Sequence, residues 1–206
     1  MDYFAFLSLP RLLTLDTAAL EKQFYAMSRR LHPDRFAGQS PSAQEDALAQ
    51  SSLLNDAYRT LKDPIERTEY LLKLEGVDLE EQSRQATDAS NQAGTQKKQL
   101  VPPDLLEEVF ELNMQLEEMR MAKKMGAAGG ESDPGIREAL LTAKTSFDAQ
   151  LAGLQTELRT LWAAWDAGVT ADDAEAKEAV KATMVELLNR RSYIRNLVRD
   201  VNEVVS

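Results

Sequence analysis

The sequence predicts an all-α protein made of two helical parts. Apolar residues recur at spacings of three and four through most of the chain, the period of one helix face. No segment alternates apolar and polar residues as a half-buried strand would, and no Asn-Gly or Asp-Gly pair marks a hairpin. Turn-forming clusters fall between the periodic runs rather than inside them. Together these predict a compact unit over 1–76, a linker over 77–101 and an antiparallel three-helix bundle over 102–206.

In the first part, a short apolar segment from Tyr3 to Leu9 stops at Pro10. Asp16 stands where an N-cap belongs, ahead of a run in which Leu20, Phe24, Met27 and Leu31 share one face. Pro33 ends that helix, because the residue before a proline is driven out of the α region. Ser42 and Glu45 form a capping box for the next helix, which carries Ala47, Ser51, Leu54, Tyr58 and Leu61 down one side. Asp63, Pro64 and Glu66 start another helix, with Leu71, Leu72 and Leu74 as its apolar cover and Gly76 as its C′ stop.

The next 25 residues are polar, free of aromatics and rich in Gln, Ser, Ala and Thr, as linkers are. Pro102 and Pro103 then precede a stripe of Leu105, Val109, Leu112, Leu116 and Met119. The stretch 126–135, GAAGGESDPG, breaks it. A second stripe follows in Leu140, Phe147, Leu151, Leu154, Leu158, Leu161 and Trp165. The stretch 166–173, DAGVTADD, separates it from a third, formed by Val180, Met184, Leu187, Ile194, Val198, Val201 and Val205. Trp162 and Trp165 read as bundle packing.

Composition excludes several classes of function. With no cysteine there is no disulfide framework, no thiolate metal site and no cysteine nucleophile. One histidine allows no multi-histidine metal site. A formal charge of −10 argues against nucleic acid as a partner, since a phosphate backbone calls for a basic face. No apolar run reaches the roughly 18–20 residues of a membrane span. The N-terminus has neither a basic n-region nor a cleavage site, so the expected compartment is the cytoplasm. The acidity is uneven: residues 1–76 carry a net −2 and residues 77–206 a net −8. Within the first part Lys22, Arg29, Arg30 and Arg35 gather around one helix and its end, a local basic patch suited to an acidic protein partner.

The tripeptide His32-Pro33-Asp34 follows that basic helix and precedes another, which closes with an AY-x-TL-x-DP-x-x-R stretch. In this frame the sequence resembles the J-domain, the co-chaperone module that stimulates ATP hydrolysis by DnaK-type chaperones. Through HPDRFAGQS and the stretch from Ala49 to Val77, it resembles the HscB subfamily in particular. The resemblance implies an N-terminal J-domain helical hairpin and a C-terminal three-helix domain that binds an IscU-type iron–sulfur scaffold. It implies that His32, Pro33 and Asp34 activate the chaperone ATPase, and that Lys22, Arg29, Arg30 and Arg35 meet the chaperone. It implies a co-chaperone rather than an enzyme, with no cofactor or metal of its own.

The family's scaffold-binding helix reads PP-x-FLMEQ-x-E-x-RE-x-L; here the stretch is PPDLLEEVFELNMQLEEM. By this match Leu106, Phe110, Glu111 and Glu118 take scaffold-contacting places. Glu107 stands where the family has Met, and Met114 where it has Glu. Tyr193 takes the place of an aromatic near the family's C-terminus. The residues point partly the same way: Leu106, Phe110 and Met114 form a second apolar line beside the core stripe, edged by Glu107, Glu111 and Glu118. That line could instead widen the core, and Tyr193 could instead pack on Leu197. Two other readings stay open: a J-protein delivering a different client, for which Glu107 and Met114 speak, and a structural interaction bundle.

Overall fold

The computed structural model describes residues 2–79, 81, 101–126 and 134–205, with the side chains of 125 and 126 left aside. Among these residues the regular structure is helical throughout, as expected. Most of the expected linker, and residues 127–133 of the expected break at 126–135, lie outside the described residues. The chain divides into two compact units, Met1–Leu79 with Leu161–Lys181, and Glu80–Thr160 with Ala182–Ser206. This partition differs from a bundle over 102–206, since its segment 161–181 packs with the N-terminal part.

In the first unit, α1 (Tyr3–Phe6) is capped by Asp2, whose carboxylate accepts from Phe4 N at 2.9 Å. Asp16 caps α2 (Thr17–Leu31), accepting from Ala18 N at 2.9 Å. The next helix, α3 (Pro41–Lys62), starts at Ser40 rather than at the expected Ser42–Glu45 box. Pro41 has φ set for a helix and no N–H to leave unpaired, so it takes the first helical position. The Ser40 hydroxyl then accepts from Ala43 N at 3.3 Å. Asp63 caps α4 (Pro64–Leu74), accepting from Ile65 N and Glu66 N at 2.8 and 2.9 Å. That helix closes in a Schellman turn: Gly76 stands at φ +86°, with Val77 N donating to Leu72 O at 2.9 Å and Gly76 N to Lys73 O at 3.2 Å.

Leu20, Ala47, Leu54, Leu61, Leu71 and Leu72 are buried, as their spacing predicts, and Ala57 is buried with them. Phe24 stacks on Tyr58 at 4.1 Å between ring centroids and helps to join α2 to α3. The two tryptophans expected in the bundle also belong to this unit. Trp162 Nε1 donates to Thr68 Oγ1 at 3.0 Å, and the Arg67 guanidinium lies 5.3 Å from the Trp162 ring. Arg67 donates to Leu61 O at 2.6 Å, satisfying a carbonyl at the end of α3. Its burial pushes the guanidinium pKa down. Asp166 is the residue sequence reasoning missed here. Its carboxylate accepts from Leu13 N at 2.8 Å, from Thr14 N at 2.9 Å and from the Thr14 hydroxyl.

In the second unit, α5 (Leu106–Gly126) pairs antiparallel with the early part of α6 (Pro134–Ala171), Ser146 and Gln150 both donating to Glu108 at 3.2 Å. In segment 161–181, which belongs to the first unit, the break expected from residue 166 comes later, because α6 continues through Ala171. Asp172 then takes φ +54°, with Asp173 N donating to Gly168 O at 3.0 Å and Asp172 N to Val169 O at 3.3 Å. Aspartate tolerates this left-handed conformation better than most residues. The reversal is tight: a Cβ on Gly168 would stand 3.1 Å from the Lys177 side chain.

The last helix, α7 (Ala174–Val205), begins after that turn. Leu105, Val109, Leu112, Leu116 and Met119 are buried as expected, together with Leu140, Phe147 and Leu154. On α7 the buried face is rotated from the expected stripe. Leu188, Tyr193, Leu197 and Val204 are buried beside Met184, Ile194 and Val201, while Leu187, Val198 and Val205 are only partly so. A near-seven-residue stripe drifts about 20° per heptad around a straight helix, so it cannot stay on one face for nine turns.

Candidate functional site

His32 ends α2 and opens a single 3₁₀ turn, Pro33–Phe36. Held extended by Pro33, at φ −61° and ψ 127°, it cannot continue the helix. Arg35 N donates to His32 O at 3.0 Å and closes the turn. Arg35 Nη1 donates to Arg29 O at 3.2 Å, giving a carbonyl of the last turn of α2 a partner. From the other side Gln44 of α3 donates to Ala37 O and Gln39 O at 3.3 and 3.0 Å. The loop backbone is thus fixed at both ends. The side chains of His32 and Asp34 are 55% and 89% exposed, so neither is held for packing.

The His32 Nδ1 accepts from Asp34 N at 3.3 Å and stands 3.4 Å from an Asp34 carboxylate oxygen. Lys22, Arg29, Arg30 and Arg35 are all exposed, as a docking patch requires. Among the described residues no group of three His, Asp or Glu side chains could hold a metal ion. None of the described helices is long and apolar enough to cross a membrane.

The second candidate surface lies on α5. Leu106, Phe110 and Met114 are 55%, 66% and 56% exposed, which decides against their widening the core. Glu107, Glu111 and Glu118 beside them are exposed too. The helix therefore carries one apolar face turned into the core and a second turned to water.

Residues 2–70 match the family model of the DnaJ domain. Over those residues the chain resembles DnaJ domains. Its resemblance to HscB also holds. It is 44% identical to the co-chaperone protein HscB of Proteus mirabilis over 79 residues, which are 38% of this chain and 46% of that one. The match thus spans about half the length of that relative. The chaperone HscB from Vibrio cholerae shares the fold along nearly the whole chain, with a TM-score of 0.59, 26% identity and coverage of 99% of this chain and 97% of that one. Human co-chaperone protein HscB does so with a TM-score of 0.58 at 22% identity, covering 98% of this chain and 81% of that one.

In the DnaJ domain the structure adds one residue to the basic face. Tyr25, 54% exposed, lies three residues after Lys22 and four before Arg29, hence on their side of α2. Its neighbour Phe24 turns inward to Tyr58. Spacing from Lys22 and Arg29 could have found Tyr25, but its aromatic character hides it among core candidates. Outside the DnaJ domain one site residue is corrected. Tyr193 is 8% exposed and packs in the core of the second unit with Ile194 and Leu197, so it is not free to meet a scaffold. Burial pushes its hydroxyl pKa up. The i+4 pairing with Leu197 was the signal for this, and it prevails because 193, 197, 201 and 204 turn to one side of α7.

Proposed function

We propose that this protein is a co-chaperone that brings an IscU-type iron–sulfur scaffold to an HscA- or DnaK-type ATPase during cluster assembly and transfer. The observation that carries this reading is the His32-Pro33-Asp34 turn, fixed in its backbone and exposed in its side chains at the end of a basic helix within a DnaJ domain. The basic face of α2, with Lys22, Arg29, Arg30 and Arg35, meets an acidic surface on the chaperone. The turn then favours the chaperone conformation that hydrolyses ATP. This is differential binding to one state of the partner rather than chemistry by His32.

The second unit supplies the scaffold-binding part, through Leu106, Phe110, Glu111, Met114 and Glu118. Holding both partners on one chain raises the effective concentration of each near the other. The protein acts in the cytoplasm, carries no cofactor, and any cluster belongs to the scaffold. Glu107 and Met114 favour a second reading, a J-protein with a different client. Single-turnover ATPase of the chaperone from the same organism separates the two. Acceleration by protein and scaffold together beyond either alone supports the first reading, whereas stimulation that the scaffold leaves unchanged supports the second.

A further inference from the structure

We infer that the partner-docking face of α5 runs a further heptad beyond Met114, to Met121, and that the segment covering it carries an apolar row about 22 Å long flanked by Lys or Arg. The inference rests on reading α5 as the scaffold-docking helix. Met121 is 61% exposed, although Met119, two residues earlier, is 2% exposed in the core. At about 100° per residue, Leu106, Phe110, Met121 and Met114 fall at roughly 0°, 40°, 60° and 80° around the helix. Met121 thus lies inside the arc set by the other three, about 10 Å further along the axis. The buried Val109, Leu112, Leu116 and Met119 lie on the far side, at roughly 220–300°.

Scattered exposed apolar residues are ordinary, but these are not scattered. Of the seven large apolar side chains exposed among the described residues, Tyr25, Leu48, Leu106, Phe110, Met114, Met121 and Leu141, four share this arc. Glu117 falls within it too, at roughly 20°. Its carboxylate is engaged by Arg120 at 2.8 Å, a partner at roughly 320°, on the side of the arc away from Met121. That ion pair occupies the one charge that would interrupt the apolar row.

The flank at roughly 100–140° is formed by Glu107, Glu118 and Glu111, all exposed. This fixes the class of occupant. An antiparallel second copy of α5 would set carboxylates against carboxylates, and an anionic lipid surface would be repelled by the same three groups. A protein segment with an apolar row and basic residues along one side satisfies both features. Flexible thioethers at Met114 and Met121 suit such a row, because they adapt to a partner's contour.

The experiment is titration calorimetry of the full chain with the IscU-type scaffold from the same organism, comparing wild type, Phe110→Ala, Met121→Ala and Met121→Lys. Met121→Ala is expected to weaken binding about fivefold and Met121→Lys about twentyfold or more. Melting temperatures should be unchanged, as befits a residue turned to water. Phe110→Ala losing affinity while both Met121 variants bind as wild type would end the docking face at Met114 and overturn the extension alone. Scaffold binding indifferent to Phe110 and Met121 alike, or absent in the wild type, would overturn the reading of α5 and the extension with it. Self-association of the wild type that Met121→Lys abolishes would assign the face to a second copy and overturn the proposed occupant.

Discussion

Replacing Asp166 with alanine tests whether the segment 161–181 stabilises the first unit. Asp166 is 9% exposed, and its carboxylate receives three donors from one short stretch: Leu13 N, Thr14 N and the Thr14 hydroxyl. Hydrogen bonds to a charged acceptor contribute about 1.5–3 kcal/mol each, so three independent ones would sum to roughly 4.5–9 kcal/mol. They are not independent. Thr14 is exposed and can turn to water, which leaves the Leu13 amide as the donor stranded in a dry site. The expected loss is therefore about 1.5–3 kcal/mol, that of one bond to a charged acceptor. For a chain of this size each kcal/mol lowers the melting temperature by about 2–4 °C, giving a fall of roughly 3–12 °C. Asp166→Asn keeps one carbonyl acceptor without the charge and should lose about half as much. Thermal melting by circular dichroism measures both, and hydrogen exchange at the Leu13 amide should lose protection in the alanine variant. A melt within about 2 °C of wild type would refute the reasoning, because the three contacts would then hold nothing that water does not.

Three further outcomes are expected. His32→Gln should abolish stimulation of the chaperone ATPase with melting unchanged, since the side chain is more than half exposed; retained stimulation would remove the turn from the mechanism. Association with the chaperone, followed by stopped flow, should slow as salt shortens the Debye length below about 8–10 Å, and a salt-independent rate would remove Lys22, Arg29, Arg30 and Arg35 from steering. Acid should weaken the second unit through Asp104, whose pKa is lowered by the hydrogen bond from Arg190 at 2.7 Å. A lowered folded pKa means stability that is present above the ordinary carboxylate value and lost as pH falls through the lower one, so Asp104→Asn should flatten the stability profile below about pH 4.

Some of this was legible from local chemistry alone. Asp16, Asp63 and Gly76 act within a turn of their own helix ends, and Pro33 acts on its immediate predecessor; the caps and the exposed turn at His32 therefore follow from residues a few positions apart. The core stripe of α5 and the exposed line beside it also follow, because one helical period places both. Ser40 displaced Ser42 because two local signals compete and the proline wins.

What only the tertiary structure decided lies where distant residues meet. Asp166 reads as turn material until Leu13 and Thr14, more than 150 positions earlier, give its carboxylate donors. Trp162 reads as one more bundle residue until Thr68 accepts its indole N–H. Tyr193 could face either way, and the rotation of α7 in its packing turned it inward. Periodicity tells which side of a helix is apolar. It does not tell which other element covers that side, because the free energy of burial is non-directional and any dry partner satisfies it.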